Sequence, residues 1–218
     1  MSKVALIAGA TGLVGRSLLD LLLNGTDYSQ VISIQRNAPT MKHPKLSIIQ
    51  TNFDKLDTVS LPQITDVYCC LGTTIKKAGS KTVFKKIDYA YPIALAKLGA
   101  RYDAKRFIVI TAMGASSTSL FFYNKVKGEL QDNLAKNQTI PQTSIIQPSL
   151  LLGNRSENRI GEDIGIKFAT VLNKFLHLNI GIQAEDVAKA MYVIGTQFNK
   201  NGLTYYHSNE LKEIAATR

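Results

Sequence analysis

An α/β fold built on one doubly wound parallel sheet is what this sequence predicts, on three observations. Short apolar or β-branched runs alternate with longer runs of helical period as far as Pro148. The first of them, Val4–Ala8, is apolar without a break, as a strand covered on both faces is. A glycine-rich turn, Gly9-Ala10-Thr11-Gly12-Leu13-Val14-Gly15, then leads straight into an apolar helix. That strand, turn and helix form the opening unit of a Rossmann-type sheet.

The elements follow in order. The first helix covers Gly12–Leu23, with leucines at 13, 18, 19, 21, 22 and 23, and Asn24-Gly25 signals its end. Val31–Ile34 reads as the second strand, Leu46–Gln50 as the third and Val67–Leu71 as the fourth. Lys81–Tyr89 is helical in period, and Pro92 opens a further helix to Tyr102, because proline fits a first helical turn. Phe107–Thr111 is a fifth strand, Leu120–Lys136 a helix and Ser144–Gln147 a sixth strand. Such alternation makes right-handed βαβ units around a parallel sheet. Beyond Pro148 the rhythm changes. Asn154–Glu162 reads as a polar loop, Ile164–Leu176 and Glu185–Phe198 as helices, and Leu203–His207 as a late strand. The organisation expected is one dinucleotide-binding domain over residues 1–218, with 151–218 a substrate or lid region packed on the same sheet.

Composition narrows the function classes. The 218 residues are 45% hydrophobic and 19% charged, too apolar for a disordered chain. The net charge is +10, but the basic residues (Lys76, Lys77, Lys81, Lys85, Lys86, Lys125, Lys127) are scattered and form no aromatic-interleaved nucleic-acid module. Attraction of a polyanionic cofactor accounts for the charge as well. No apolar run reaches the ~20 residues of a membrane span, and Met1-Ser2-Lys3 passes into Val4 with no basic stretch or cleavage site. Cys69 and Cys70 are adjacent, so on a strand they face opposite sides, which suits a reducing compartment. The expectation is a cytoplasmic protein without membrane association. His43, His177 and His207 have neither metal-ligand spacing nor cysteine company, so no metal is expected.

The glycine turn supplies the first site residues. Gly9 permits a tight turn, Gly12 lets the backbone approach a pyrophosphate, and Gly15 lets the helix pack close to the sheet. Thr11, Leu13 and Val14 belong to the same phosphate-facing turn, at a helix N-terminus that favours negative charge. Binders of NAD place a carboxylate near the end of strand two. This chain reads Ser33-Ile34-Gln35-Arg36-Asn37 there, and the planar fork of Arg36 suits a 2′-phosphate. The cofactor expected is therefore NADP(H). Asn52 and Phe53 after strand three are placed beside its adenine, and Leu71, Gly72, Thr73 and Thr74 after strand four along its edge.

Tyr123-Asn124-Lys125-Val126-Lys127 falls on the helix after strand five. Residues i and i+4 share a helix face, so the Lys127 ammonium can lower the Tyr123 pKa and also bond a cofactor ribose. A phenol so activated can give or take the proton that accompanies hydride transfer at a carbonyl.

With these residues in this order, the chain resembles the short-chain dehydrogenase/reductase superfamily. Within it, the chain is similar to the atypical small NAD(P)-binding oxidoreductase-like proteins related to the human Tat-interacting protein. Gly9–Gly15, Cys70–Gly79, Ile87–Pro92, Tyr123–Glu129 and Pro148–Gly153 carry the resemblance. It implies an NADP-binding fold with Tyr123 and Lys127 at the family's tyrosine and lysine positions and Pro148 beside the cofactor. Two positions depart from the pattern. Strand five of the family usually ends in paired serines, one of which polarises the substrate carbonyl. Here Thr111 matches the first while Ala112 has no hydroxyl, and Ser116 and Ser117 follow on a loop. Gln147 stands where relatives commonly carry arginine. The leading expectation is an NADPH-dependent reductase of a small carbonyl-like substrate, with Tyr123 as acid/base, Lys127 as activator and Thr111 as polarising hydroxyl. The alternative, favoured by Ala112, is a non-catalytic NADP(H)-binding regulator that engages a protein partner. Asp88 and Tyr89 are read as capping and packing the helix junction before Pro92, and Arg155, Glu157, Arg159 and Glu162 as a solvated loop. Substrate specificity is assigned to Asn154–Asn179.

Overall fold

The computed structural model describes residues 3–37, 41–153 and 181–217. The strands are β1 Lys3–Ala8, β2 Tyr28–Gln35, β3 Leu46–Gln50, β4 Asp66–Cys69, β5 Arg106–Ile110, β6 Gln142–Gln147, β7 Leu150–Leu152, β8 Gly181–Gln183 and β9 Gly202–His207. Among the described residues seven of them form one sheet in the order β3-β2-β1-β4-β5-β6-β9, and β7 and β8 make a separate pair. Every pairing in the large sheet is parallel. The helices are α1 Leu13–Asn24, α2 Ile75–Ala78, α3 Lys81–Lys85, α4 Tyr91–Arg101, α5 Phe122–Lys136, α6 Ala184–Gln197 and α7 Ser208–Ala216. A 3-10 turn spans Phe53–Thr58, and a π-helical turn, Lys86–Ala90, joins α3 to α4.

The unbroken apolar β1 has the physical cause the sequence suggested, since the sheet is covered on both faces. Ala5 and Ile7 pack into one core with Leu18 and Leu22 of α1 and Val187 and Met191 of α6. Leu6 and Ala8 point the other way, into a second core with Leu95 and Leu98 of α4 and Leu130 of α5. Full burial of side chains such as Leu18 and Leu22, both at 0% exposure, stabilises by roughly 1.5–3 kcal/mol each.

Several boundaries differ from the sequence reading. β2 starts at Tyr28 rather than Val31, because Tyr28 is itself buried and its hydroxyl donates to Asp66 Oδ2 at 2.9 Å. Lys81–Tyr89 is not one α-helix, since α3 widens into the π turn after Lys85. Gly25 does follow α1, but its φ of −72° is ordinary. A Cβ there would meet the Tyr192 hydroxyl at 2.1 Å, so the glycine is required for space rather than for a left-handed cap. Of the region 151–218 expected to be a lid, β9 extends the sheet beside β6, and α6 and α7 contribute to the core beside α1. The expected loop Asn154–Glu162 and helix Ile164–Leu176 lie outside the described residues, as does the specificity region Asn154–Asn179 with Arg155, Glu157, Arg159, Glu162 and His177.

Strand order reverses at β1 and β4. The chain winds from β1 through β2 to β3 on one side, then restarts at β4 and winds the other way. The crevice at the carboxyl ends of β1 and β4 is where an open parallel sheet receives a ligand.

Candidate functional site

The end of β1 and the end of β4 touch. Gly9 has φ +87°, and a Cβ on it would lie 2.5 Å from the Cys70 carbonyl oxygen, so only glycine fits. The amide of Gly12 donates back to the Gly9 carbonyl at 3.0 Å and closes the turn. Gly15 sits against the same carbonyl, with a Cβ there only 2.1 Å from Gly9 O. Gly12 differs from both. Among the described residues its Cβ would meet Gly9 O alone, at 3.2 Å, with open space beyond, and Thr11 and Gly12 are exposed. Among the described residues no side chain caps α1 at Gly12, which leaves first-turn amides for another acceptor. The turn is a backbone cradle open to an anion, and it fits a pyrophosphate. Leu13 is partly covered and Val14 is buried, so Val14 offers such a ligand its backbone rather than its side chain.

The neighbouring strand ends are fixed by register. Ala8 pairs with Ile34, so Arg36 comes two residues after the last pairing of β1 with β2. The Arg36 side chain is exposed, and its carbonyl accepts from Gln50 Nε2 at 3.2 Å. Asn52 caps the 3-10 turn through Oδ1, which accepts from the Asp54 amide at 3.1 Å. Phe53 does not present its ring to the edge as expected. It is 5% exposed and stacks on Tyr91 at 5.3 Å in the core, leaving only its backbone for a ligand. After β4, Thr74 caps α2 by accepting from the Lys77 amide, so that hydroxyl is engaged. Leu71 and Thr73 are partly covered and Gly72 is exposed.

Lys127 reaches this edge from α5. Its ammonium is 3% exposed and lies 2.8 Å from Asp88 Oδ1, itself 1% exposed. The other carboxylate oxygen of Asp88 accepts from the Thr73 amide at 2.9 Å. A Cβ on Gly72 would sit 3.5 Å from Asp88 Oδ1 and 3.9 Å from Lys127 Nζ, so the pair lies directly under the β4 loop. Burial pulls the Lys127 pKa down, but Asp88 and the Tyr123 phenol outweigh it, and the net shift is upward. At 2.8 Å the ammonium and Asp88 Oδ1 form a buried ion pair. One turn earlier Tyr123 is 37% exposed, its ring packed on Phe84 at 5.6 Å. Burial raises the Cys69 thiol to about 12 and keeps it protonated.

Thr111 is a correction. Its hydroxyl is buried, donates to the Ile146 carbonyl at 3.2 Å and accepts from Gln131 Nε2 at 2.8 Å. Both functions are engaged between β5, β6 and α5, so it does not face a substrate at the edge. Ala112 is buried too. Ser116 lies on the exposed loop, where its Oγ pairs with Thr118 Oγ1. Pro148 is buried at the end of β6, and its carbonyl accepts from the Met113 amide.

Asp88 is the residue the sequence reading missed as a site group. One signal was available. It is the lone carboxylate between Asp66 and Asp103, a span that holds Lys76, Lys77, Lys81, Lys85, Lys86 and Lys97.

With this geometry in place, comparison with known proteins is decisive on kinship. A family model described as HIM1 matches residues 29–180. The chain belongs to the HIM1 family. This HIM1 chain is 32% identical to "Protein FMP52, mitochondrial" of Lodderomyces elongisporus over 97% of the chain and 93% of that protein. It is 33% identical to "Protein HTATIP2" of Rattus norvegicus over 77% of the chain and 70% of that protein. A short-chain dehydrogenase/reductase of Saccharomyces cerevisiae, YIR035C, superposes with a TM-score of 0.73 at 14% identity, covering 98% of this chain and 99% of that one. The HIM1 chain therefore has the short-chain dehydrogenase/reductase fold, and the sequence resemblance holds at that level. The cytoplasmic expectation is overturned, because the FMP52 relatives are named mitochondrial. Adjacent reduced cysteines are compatible with more than one compartment, so composition had no power to choose among them.

Proposed function

We propose that this HIM1 chain is an NADP(H)-binding oxidoreductase of the atypical short-chain type that reduces a small carbonyl-like substrate, its 218 residues acting as one dinucleotide-binding domain. The observation that carries the reading is the buried Lys127 ammonium under Gly72 at the β1–β4 crevice, one helical turn after the exposed Tyr123 phenol. Gly9, Thr11, Gly12, Leu13, Val14 and Gly15 hold the pyrophosphate by backbone. The exposed Arg36 guanidinium, just past the end of β2, pairs with a 2′-phosphate. Asn52, the Phe53 backbone and Leu71–Thr74 line the edge, and Pro148 closes it from β6. Bound there, NADPH supplies the hydride. Tyr123 gives the accompanying proton to the carbonyl oxygen, and Lys127, kept cationic by Asp88, steadies the phenolate that results and donates to a ribose hydroxyl. The test is steady-state consumption of NADPH across a carbonyl panel, for wild type and Tyr123→Phe.

Two observations favour the second reading, a non-catalytic NADP(H)-binding regulator. The Thr111 hydroxyl is turned inward and Ala112 has none, so the carbonyl lacks its usual polarising donor. Beside Tyr123, Leu120 is fully exposed and Phe121 is 76% exposed, an apolar corner of the kind that receives a protein partner. Tight NADPH binding without turnover on any member of the panel would select this reading.

A further inference from the structure

A lysine as deeply buried as Lys127 would ordinarily lose its proton toward neutral pH, because the charged form is the one that desolvation penalises. Three titratable groups from three elements face it: Asp88 from the π turn, Cys69 from β4 and Tyr123 from its own helix. Of these, Asp88 is the carboxylate, and burial keeps the Cys69 thiol protonated. The π turn explains how Asp88 reaches it. The wider turn after α3 sets Asp88 inward, while Lys85 and Lys86 stay in solvent and pair with Glu129 and Asp54. π turns of this kind are recurrent features of functional sites. The two carboxylate oxygens divide the work. Oδ1 lies against the ammonium, and Oδ2 holds the Thr73 amide of the loop above it. An ammonium carries three N–H groups, so the contact with Oδ1 at 2.8 Å leaves others for a further acceptor.

We propose that Asp88 is a positioning residue: it holds Lys127 charged beneath Gly72 and ties the Leu71–Thr74 loop to it, so that loop and lysine present one preassembled surface to a cofactor hydroxyl. The cofactor part rests on the function proposed above, whereas the Lys127 part does not.

The experiment follows the Lys127 side-chain nitrogen by NMR in the full, ligand-free chain, assigned through Lys127→Arg, and in parallel titrates NADPH from pH 6 to 9. In the wild type Lys127 stays charged across this range and affinity is flat. In Asp88→Asn burial is unopposed, the midpoint of Lys127 falls by about three units or more, and NADPH binds at least tenfold more weakly at pH 9 than at pH 6. Asp88→Glu restores both. An unmoved midpoint in Asp88→Asn overturns the proposal. A lowered midpoint in a chain that binds no NADPH in any form supports the role of Asp88 toward Lys127 and rejects the cofactor reading. Should Asp88→Asn not fold, Asp88→Asn/Lys127→Met decides. Recovery of the fold on removing the ammonium supports the proposal, and failure of the double variant as well overturns it.

Discussion

Gly12 and Gly15 lie three residues apart in one turn, yet replacing each by alanine should have opposite consequences. At Gly15 the new Cβ would lie 2.1 Å from the Gly9 carbonyl oxygen, roughly an ångström inside an ordinary carbon–oxygen contact of about 3.3 Å. Backbone is on both sides of that clash, so a cost near the upper end of overpacking, about 3 kcal/mol, is expected. Alanine's better helix propensity offsets about 1 kcal/mol of it. The net loss of about 2 kcal/mol corresponds to a melting temperature lower by about 4–8 °C for a chain of this size. At Gly12 the φ of −77° suits alanine, and among the described residues the only contact is Gly9 O at 3.2 Å. Stability should fall by about 0.5 kcal/mol, the modest cost of alanine at an N-cap, while the methyl group occupies the space assigned to the pyrophosphate. NADPH affinity should then drop at least tenfold, about 1.4 kcal/mol. Thermal unfolding followed by circular dichroism and NADPH titration calorimetry separate the two effects. A Gly12→Ala protein that binds NADPH like the wild type removes the turn from the site. A Gly15→Ala protein as stable as the wild type refutes the packing argument.

Arg36→Ala should abolish a preference for NADPH over NADH of about tenfold, the low end for a charge-assisted hydrogen bond because the side chain is exposed; equal dissociation constants in the wild type would remove Arg36 from the site. Tyr123→Phe keeps the ring on Phe84, so NADPH affinity and stability should hold while turnover on any accepted carbonyl falls by ~10²–10⁴-fold; full turnover in that variant ends the tyrosine mechanism. Arg106→Ala strips the fully buried Asp66 of its guanidinium at 2.9 Å, and with Arg106 partly exposed the loss should be about 3 kcal/mol, read as a lower melting temperature. The Cys69 thiol, raised to about 12 by burial, is neutral at pH 8 and should resist thiol reagents until the protein unfolds. Its unfolded counterpart ionises near the ordinary thiol value of 9.0 while the folded form keeps its proton, so this group lowers stability as pH rises above about 9 and leaves it unchanged below.

The parallel sheet and the glycine turn were legible in the chain, because both leave local marks. A strand covered on two faces must be apolar at every position, and β1 is buried from Ala5 to Ala8. A turn that meets the next strand's carbonyl at Gly9 admits no Cβ. The Tyr123–Lys127 spacing was legible for the same reason, since a helix converts four residues of sequence into one face. What faced these residues was not legible. Thr111 and Phe53 stood at the right strand ends, but whether a side chain at a strand end turns outward or inward depends on partners distant in sequence. Gln131 and Ile146 turn the hydroxyl of Thr111 inward, and Tyr91 covers the ring of Phe53. Asp88 reads as a helix-junction residue until the π turn carries it under the β4 loop, 39 positions from Lys127 in sequence and 2.8 Å away in space. Local pattern sets which faces are apolar and where the backbone must be bare. Only the packed sheet decides which charge meets which, because an ion pair between distant segments leaves no periodicity in the chain.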